Sequence, residues 1–183
     1  MTRYVALLRG INVGGKNPIR MTELRACFER ESLESVSTYI QSGNVLFTAA
    51  STARATLVRR IEAALTRTFG CRVCVMLRSR PEMRRIVDRA PTGFGAHLTQ
   101  HRYDVIFLKA PLTAASAMRS VITRQGVDQA HAGDGVLYFS RLISRASQSQ
   151  LGRLVSLPVY QSMTIRNWNT TTTLLRLLDG PEP

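Results

Sequence analysis

The residues best suited to chemistry are Arg9, Asn12, Gly14, Gly15 and Lys16, within the run Leu8-Arg9-Gly10-Ile11-Asn12-Val13-Gly14-Gly15-Lys16-Asn17. Glycines let backbone amides turn toward a ligand, and a guanidinium and an ammonium stand beside them, so the run predicts an anion site after a first strand. A second polar stretch, Gln41, Ser42, Gly43 and Asn44, suits the turn of a hairpin and could face the same ligand. A third is Arg166-Asn167-Trp168-Asn169. Asn167 suits a helix N-cap, Arg166 beside a positive helix end suits an anion, and Trp168 suits either a stacked ring or packing against a sheet. Taken together, Arg9, Asn12, Gly14, Gly15, Lys16, Gln41, Ser42 and Asn44 offer more donors than acceptors and no carboxylate. They point to holding phosphate or carboxylate groups, and they name no general base, so whether the protein is an enzyme is not legible.

Other reactive patterns are weaker. Gly10 to Asn17 nearly spells a nucleotide-hydrolase phosphate loop, but Asn17 stands where a magnesium-binding hydroxyl is needed, and Pro18 turns Asn17 away from helical geometry. His97 and His101 lie one helical turn apart without the glutamate of a zinc helix, and no metal site is expected. His131 near Asp134 has the elements of a general base, yet exposed turn histidines seldom act as one. No Gly-x-Ser-x-Gly elbow occurs. Cys71 and Cys74 fall in an extended run, where residues three apart face opposite sides, so buried strand thiols are expected. The odd count of Cys27, Cys71 and Cys74 fits a reducing compartment. No cofactor is identifiable.

These groups need elements to position them. Residues 3–10 read as a buried strand, and Met21, Leu24, Cys27 and Phe28 recur at helical spacing. Ser35–Ile40 and Asn44–Thr48 flank the polar turn as a hairpin. Leu57, Val58, Ile61, Ala64, Leu65 and Phe69 form a helical stripe closed by Gly70, and Arg72–Arg78 reads as a strand. Ser79 with Glu82 predicts a capping box on a connecting helix that Pro91 ends. A second set follows: a strand over 104–109, a helix over 113–123, a hairpin of 127–130 with 136–140, a helix capped from Ser147 and Gln150 with Leu151, Leu154 and Val155 on its apolar face, and a strand over 160–165. A terminal helix runs from about Trp168 to Leu178. The predicted fold class is α+β: two tandem ferredoxin-like β-α-β-β-α-β plaits, with domains at 1–92 and 93–183 divided in the Pro91-Thr92-Gly93-Phe94-Gly95 loop.

The 183 residues are 44% hydrophobic and carry a formal charge of +13, enough for a real core and for attraction to nucleic acid or anionic metabolites. Only Lys16 and Lys109 are lysine among 25 basic residues, and the arginines are scattered, as on an ordinary solvated surface. Arg3 and Arg9 bracket too short an apolar run for a signal peptide, and no run reaches membrane-spanning length, which predicts a cytoplasmic protein.

Three segments together resemble the bacterial family known as domain of unknown function 1697: Tyr4 to Asn17, Thr38-Tyr39-Ile40-Gln41-Ser42-Gly43-Asn44-Val45, and Thr164-Ile165-Arg166-Asn167-Trp168-Asn169-Thr170. The resemblance implies two tandem ferredoxin-like units and no established activity. It departs at Arg30-Glu31-Ser32-Leu33, where relatives tend to carry a leucine-glycine turn. The expected function is binding of a small anionic ligand, a nucleotide or phosphorylated metabolite. A nucleic-acid module is the rival, disfavoured because strand 44–48 offers one phenylalanine without the expected glycine-aromatic pattern. A protein-interaction module is the third reading. Oligomeric state is not legible.

Overall fold

The computed structural model describes residues 1–12, 18–50 and 52–180. In chain order the elements are β1 (Thr2–Arg9), α1 (Met21–Glu29), β2 (Glu34–Tyr39), β3 (Asn44–Ala49), α2 (Arg54–Phe69), β4 (Cys74–Ser79) and α3 (Arg80–Asp88). Then come β5 (His101–Leu108), α4 (Ala114–Met118), β6 (Asp128–Ala132), β7 (Val136–Leu142), α5 (Leu151–Ser156), β8 (Met163–Asn167) and α6 (Trp168–Asp179). The strands form two four-stranded antiparallel sheets, ordered β2-β3-β1-β4 and β6-β7-β5-β8. One compact unit comprises Met1–Met83 with Leu174–Pro183, and the other Arg84–Thr173.

In the first unit the strand period of two sends Ala6, Leu8, Val45, Phe47, Val75 and Leu77 into a core closed by Leu24 and Phe28 of α1 and Leu57, Ile61 and Leu65 of α2. Val5, Leu7, Leu46 and Met76, which alternate with them, are also buried. Burial on both faces is why these strands read as continuous apolar runs. Helix α2 ends on Gly70 at φ 68, with its N–H donating to the Thr66 carbonyl, as its sequence predicts. After α1, Ser32 takes φ 55, a left-handed conformation that a glycine adopts without strain. This is the turn where the chain departs from the family pattern.

The capping box forms: the Ser79 N–H and hydroxyl both donate to Glu82 Oε2, at 2.8 and 2.7 Å. Burial pushes the Glu82 carboxyl up, but those two bonds and Arg54, 2.5 Å away, outweigh it and hold the group below its ordinary value. The cysteines differ from expectation. Cys27 is buried, whereas Cys71 and Cys74 are half-buried, because β4 begins only at Cys74.

The second unit packs Ile106, Leu108, Leu137, Phe139 and Met163 against Ala117, Leu151 and Leu154. Its boundaries depart from the expected ones in several places, β8 among them, which runs Met163–Asn167 and not over 160–165. Strand β5 starts at His101, three residues early, since polar residues at its start still pair across to Leu142 and Arg141. Helix α4 spans only Ala114–Met118, opened by Thr113 accepting from the Ser116 N–H, and Val121, Ile122 and Thr123 disfavour its continuation. No cap forms at Ser147. Residues 143–148 make a 3-10 turn, the Leu151 N–H that opens α5 donates to the Ser149 hydroxyl at 3.3 Å, and the N–H of Gln150 donates to Asp128 Oδ2 at 2.9 Å. Val155, assigned to the apolar face of this helix, is 43% exposed.

One device occurs in both units. Each last strand ends with a buried arginine followed by a capping residue, and the next helix starts without a loop: Arg78-Ser79 before α3, and Arg166-Asn167 before α6. Val5 pairs with Arg78 and Val105 with Arg166. Each guanidinium donates to the carbonyl of the preceding residue, Leu77 at 2.9 Å and Ile165 at 2.8 Å. Burial pulls the Arg166 guanidinium down to about 10, leaving it cationic at neutral pH.

Tyr138, 2% exposed, donates to the Ile86 carbonyl at 2.6 Å. Burial first, and Asp134 second, push its phenol up to about 12 from the usual 10, against a small opposing effect of Arg89. A group raised in the folded state keeps its stabilising contribution below the unfolded value and loses it as pH rises through the folded one. Stability is therefore expected to fall by about 2–3 kcal/mol more in the wild type than in Tyr138→Phe between pH 10 and 12. Urea unfolding of both proteins across that range checks it, and parallel curves would show that the phenol contributes nothing to the alkaline limb.

Candidate functional site

Two places gather the residues expected to bind. At the end of the first sheet, the loop after β1 and the β2–β3 turn do come together. The Asn12 side-chain amide donates to the Ile19 carbonyl at 2.9 Å and to the Gln41 carbonyl at 3.0 Å, while its oxygen accepts from the Ile19 N–H at 2.7 Å. Asn12 thus closes its own loop and ties that loop to the turn. Asn44, fully buried, donates to the Tyr39 carbonyl at 2.9 Å and the Ser42 hydroxyl at 3.1 Å. Both asparagines spend these groups on the protein, whereas the Gln41 side chain at the turn is exposed. Gly14, Gly15 and Lys16 lie outside the described residues.

The backbone at this rim is unusual. Gly10 and Gly43 both sit at φ 76, Asn12 at 53 and Ile40 at 51. Asparagine tolerates the left-handed region, but a β-branched isoleucine there is strained, and Ile40 is also 48% exposed. The register sets the close approach: Leu7 lies opposite Asn44, and the Leu8 N–H donates to the Gly43 carbonyl at 2.8 Å. Arg9 pairs with Cys74 on the other side of β1 and falls on the face opposite Ala6 and Leu8.

The second place lies at the start of α6. Asn167 accepts from the Thr170 N–H at 2.7 Å and is the N-cap its sequence predicts. Arg166, besides its own-strand carbonyl, donates to the Thr164 hydroxyl at 3.0 Å. Trp168 packs edge-on to Phe94, ring centres 5.1 Å apart, and Phe94 meets Tyr103 and Tyr138 in the same manner at 4.9 and 5.3 Å. Its indole passes directly over Gly95, which has no side chain to obstruct it. Asn167, Trp168 and Asn169 then line a cavity of about 320 Å³ together with Leu98, His101, Arg102, Tyr103, Asp104 and Arg141.

Sequence reasoning missed the last group. Asp104 is the one acid in the strand Tyr103-Asp104-Val105-Ile106-Phe107-Leu108, and a charge inside an apolar run was the available sign. Only 7% exposed, it lies 3.4 Å from Arg141 Nη2. Burial raises its carboxyl above the ordinary value, with Arg141 and Arg102 opposing. His131 is exposed, and Asp134 sits 3.5 Å from Arg85, so that pair has no enclosed setting. Among the described residues no group of three or more metal-ligating side chains occurs, and no helix is long and apolar enough to cross a membrane.

Comparison with known proteins finds similarity at the level of family and of fold. Residues 1–138 match the family model described as a protein of unknown function, DUF1697. The fold is similar to that of the conserved bacterial protein SP0830 from Streptococcus pneumoniae, with a TM-score of 0.83 and 28% identity over 97% of this chain and 98% of that one. No curated protein matches the chain.

Proposed function

The chain belongs to the DUF1697 family, and we propose that it binds a small anionic ligand, a nucleotide or phosphorylated metabolite, at the end of the first sheet. The observation that carries this reading is the cluster of left-handed residues there, Gly10, Asn12, Ile40 and Gly43, on two stretches that Asn12 ties together. Strain of this kind persists where surrounding structure over-determines it and gathers at ligand sites. Left-handed residues beside right-handed or extended ones turn successive N–H groups to one side, an arrangement suited to phosphate or carboxylate oxygens. Arg9 and Lys16 supply the positive charge, and Ser42 and Gln41 supply further hydrogen bonds. Each sheet serves as the plait of a ferredoxin-like unit in this reading, supported by the β-α-β-β-α-β order and by the central place of β1 and β5.

The nucleic-acid alternative is less well supported. Phe47, the aromatic of β3, is 2% exposed and packed against Tyr4 and Phe28, whereas RNA-binding plaits stack bases on exposed rings.

Thermal shift against a panel of phosphorylated metabolites and nucleotides tests the proposal. A ligand at 100 times its dissociation constant adds about 2.7 kcal/mol, which moves the midpoint of a chain this long by roughly 5–10 °C. At least one member of the panel is expected to do so, and the Arg9→Ala, Lys16→Ala double variant is expected to lose most of that shift. A double variant stabilised as much as the wild type ends the proposal.

A further inference from the structure

We infer that the cavity at the start of α6 is a second site, independent of the one at the first sheet, which takes a small zwitterion of the α-amino-acid class.

Three lines of argument converge on it. The first is unmet hydrogen bonding. Asp104 Oδ2, Arg141 Nε and His101 Nδ1 are each buried without a hydrogen-bond partner, and all belong to residues lining this one cavity. Buried polar atoms are satisfied in the great majority of cases, so an acceptor, a donor and an imidazole nitrogen left unpaired on residues around one hollow call for a guest with matching groups. The Asp104–Arg141 contact does not remove the need: it is an ion pair at 3.4 Å through Arg141 Nη2, and it leaves Asp104 Oδ2 and Arg141 Nε without a hydrogen bond.

The second is charge. Arg102 and Arg141 face each other across the β5–β7 ladder, an arrangement of like charges that is unfavourable unless something negative stands between or beside them. Asp104 answers one of the two. The surplus positive charge and the amide end of α6, whose N-cap position Asn167 already fills, suit a carboxylate. Asp104, 93% buried by its 7% exposure, suits a group that brings donors and positive charge, and an ammonium brings both. Its raised carboxyl fits a site where the compensating cation arrives with the ligand.

The third is size. A cavity of about 320 Å³ lies at the small end of ligand pockets, which run from about 300 Å³ upward, and it suits a guest of amino-acid dimensions better than a nucleotide. The edge of Trp168 offers apolar surface for a side chain.

Trp168 is the only tryptophan, so its emission reports on the cavity without a label. The full-length protein is titrated with a panel of α-amino acids, and each that binds is compared with the carboxylic acid lacking its ammonium and the amine lacking its carboxylate. At least one amino acid is expected to give a saturable change. Both truncated analogues are expected to bind about 10- to 100-fold more weakly, the loss that follows from leaving one charged hydrogen-bonding group unmet. Asp104→Asn, of nearly the same volume, is expected to lower amino-acid affinity by a similar factor and to leave the carboxylic acid unaffected. Three results overturn the assignment: no amino acid changing emission or thermal midpoint at millimolar concentration, carboxylic acids binding as tightly as their amino acids, or inorganic phosphate displacing the amino acid as effectively as its own carboxylate analogue. The analogue series uses wild-type protein throughout, so it decides the matter even if Asp104→Asn fails to fold.

Discussion

Gly43→Ala is expected to lower the thermal midpoint by roughly 5–15 °C, one of the two largest effects foreseen for a single methyl group in this chain. Two penalties act together. Gly43 sits at φ 76, and placing an L-residue there costs about 1–2 kcal/mol. The added Cβ also falls 2.7 and 2.9 Å from Ile11 Cδ1 and Cγ1 and 2.9 Å from Leu8 Cβ. Both neighbours are about 1% exposed and cannot retreat, so overpacking adds about 1–3 kcal/mol. Gly10→Ala separates the two penalties: it shares the same φ, but its Cβ meets nothing within 4 Å among the described residues. Calorimetry of the two variants should therefore show a small loss for Gly10 and a large one for Gly43. Equal losses would mean that contact with Ile11 and Leu8 does not shape this rim.

The second large effect is expected at Gly95→Ala. Gly95 has φ 87, and a Cβ there would overlap Nε1 and Cδ1 of Trp168 and approach Cε2 to 3.2 Å. The indole is held by Phe94, so it moves only by disturbing the ring cluster of Phe94, Tyr103 and Tyr138. A stability loss of about 2–4 kcal/mol is expected from strain and overpacking together, with a shift in tryptophan emission toward that of exposed indole. The same displacement deforms the cavity wall, so amino-acid binding should weaken in parallel. Gly93→Ala is the control, at φ 78 with nothing within 4 Å of its Cβ. Unchanged emission in Gly95→Ala would show that the ring is not seated where the packing puts it.

What was legible in the sequence follows from how local each cause is. Period-two burial, Gly70, the Ser79–Glu82 box and Asn167 as N-cap each act within a few residues, and all could be read directly. The N–H of Gln150, just before α5, is held by Asp128, a partner 22 positions away, and no local pattern marks such a contact. The site residues divide in the same way. Topology brings the Asn12 loop to the Gln41–Asn44 turn, yet the amides of Asn12 and Asn44 hold backbone carbonyls, a use that composition cannot distinguish from ligand binding. Asp104 and Arg141 were passed over because their meeting depends on the β5–β7 register, which only three-dimensional pairing sets. The strain at Ile40 was equally hidden, since isoleucine is among the residues least expected to adopt a positive φ.

The first unit is assembled from two segments far apart in the sequence. Arg3 in β1 donates through Nη1 to the Gly180 carbonyl and through Nη2 to the Leu177 carbonyl, the latter at 3.1 Å, and residues 174–183 are grouped with 1–83. During synthesis β1 must therefore wait for carbonyls 174 and 177 positions further along, and the unit that emerges second is the first with all its parts in hand. A chain cut after Thr173 would keep every residue of the second unit and lose the carbonyls at the end of α6 that Arg3 holds in the first.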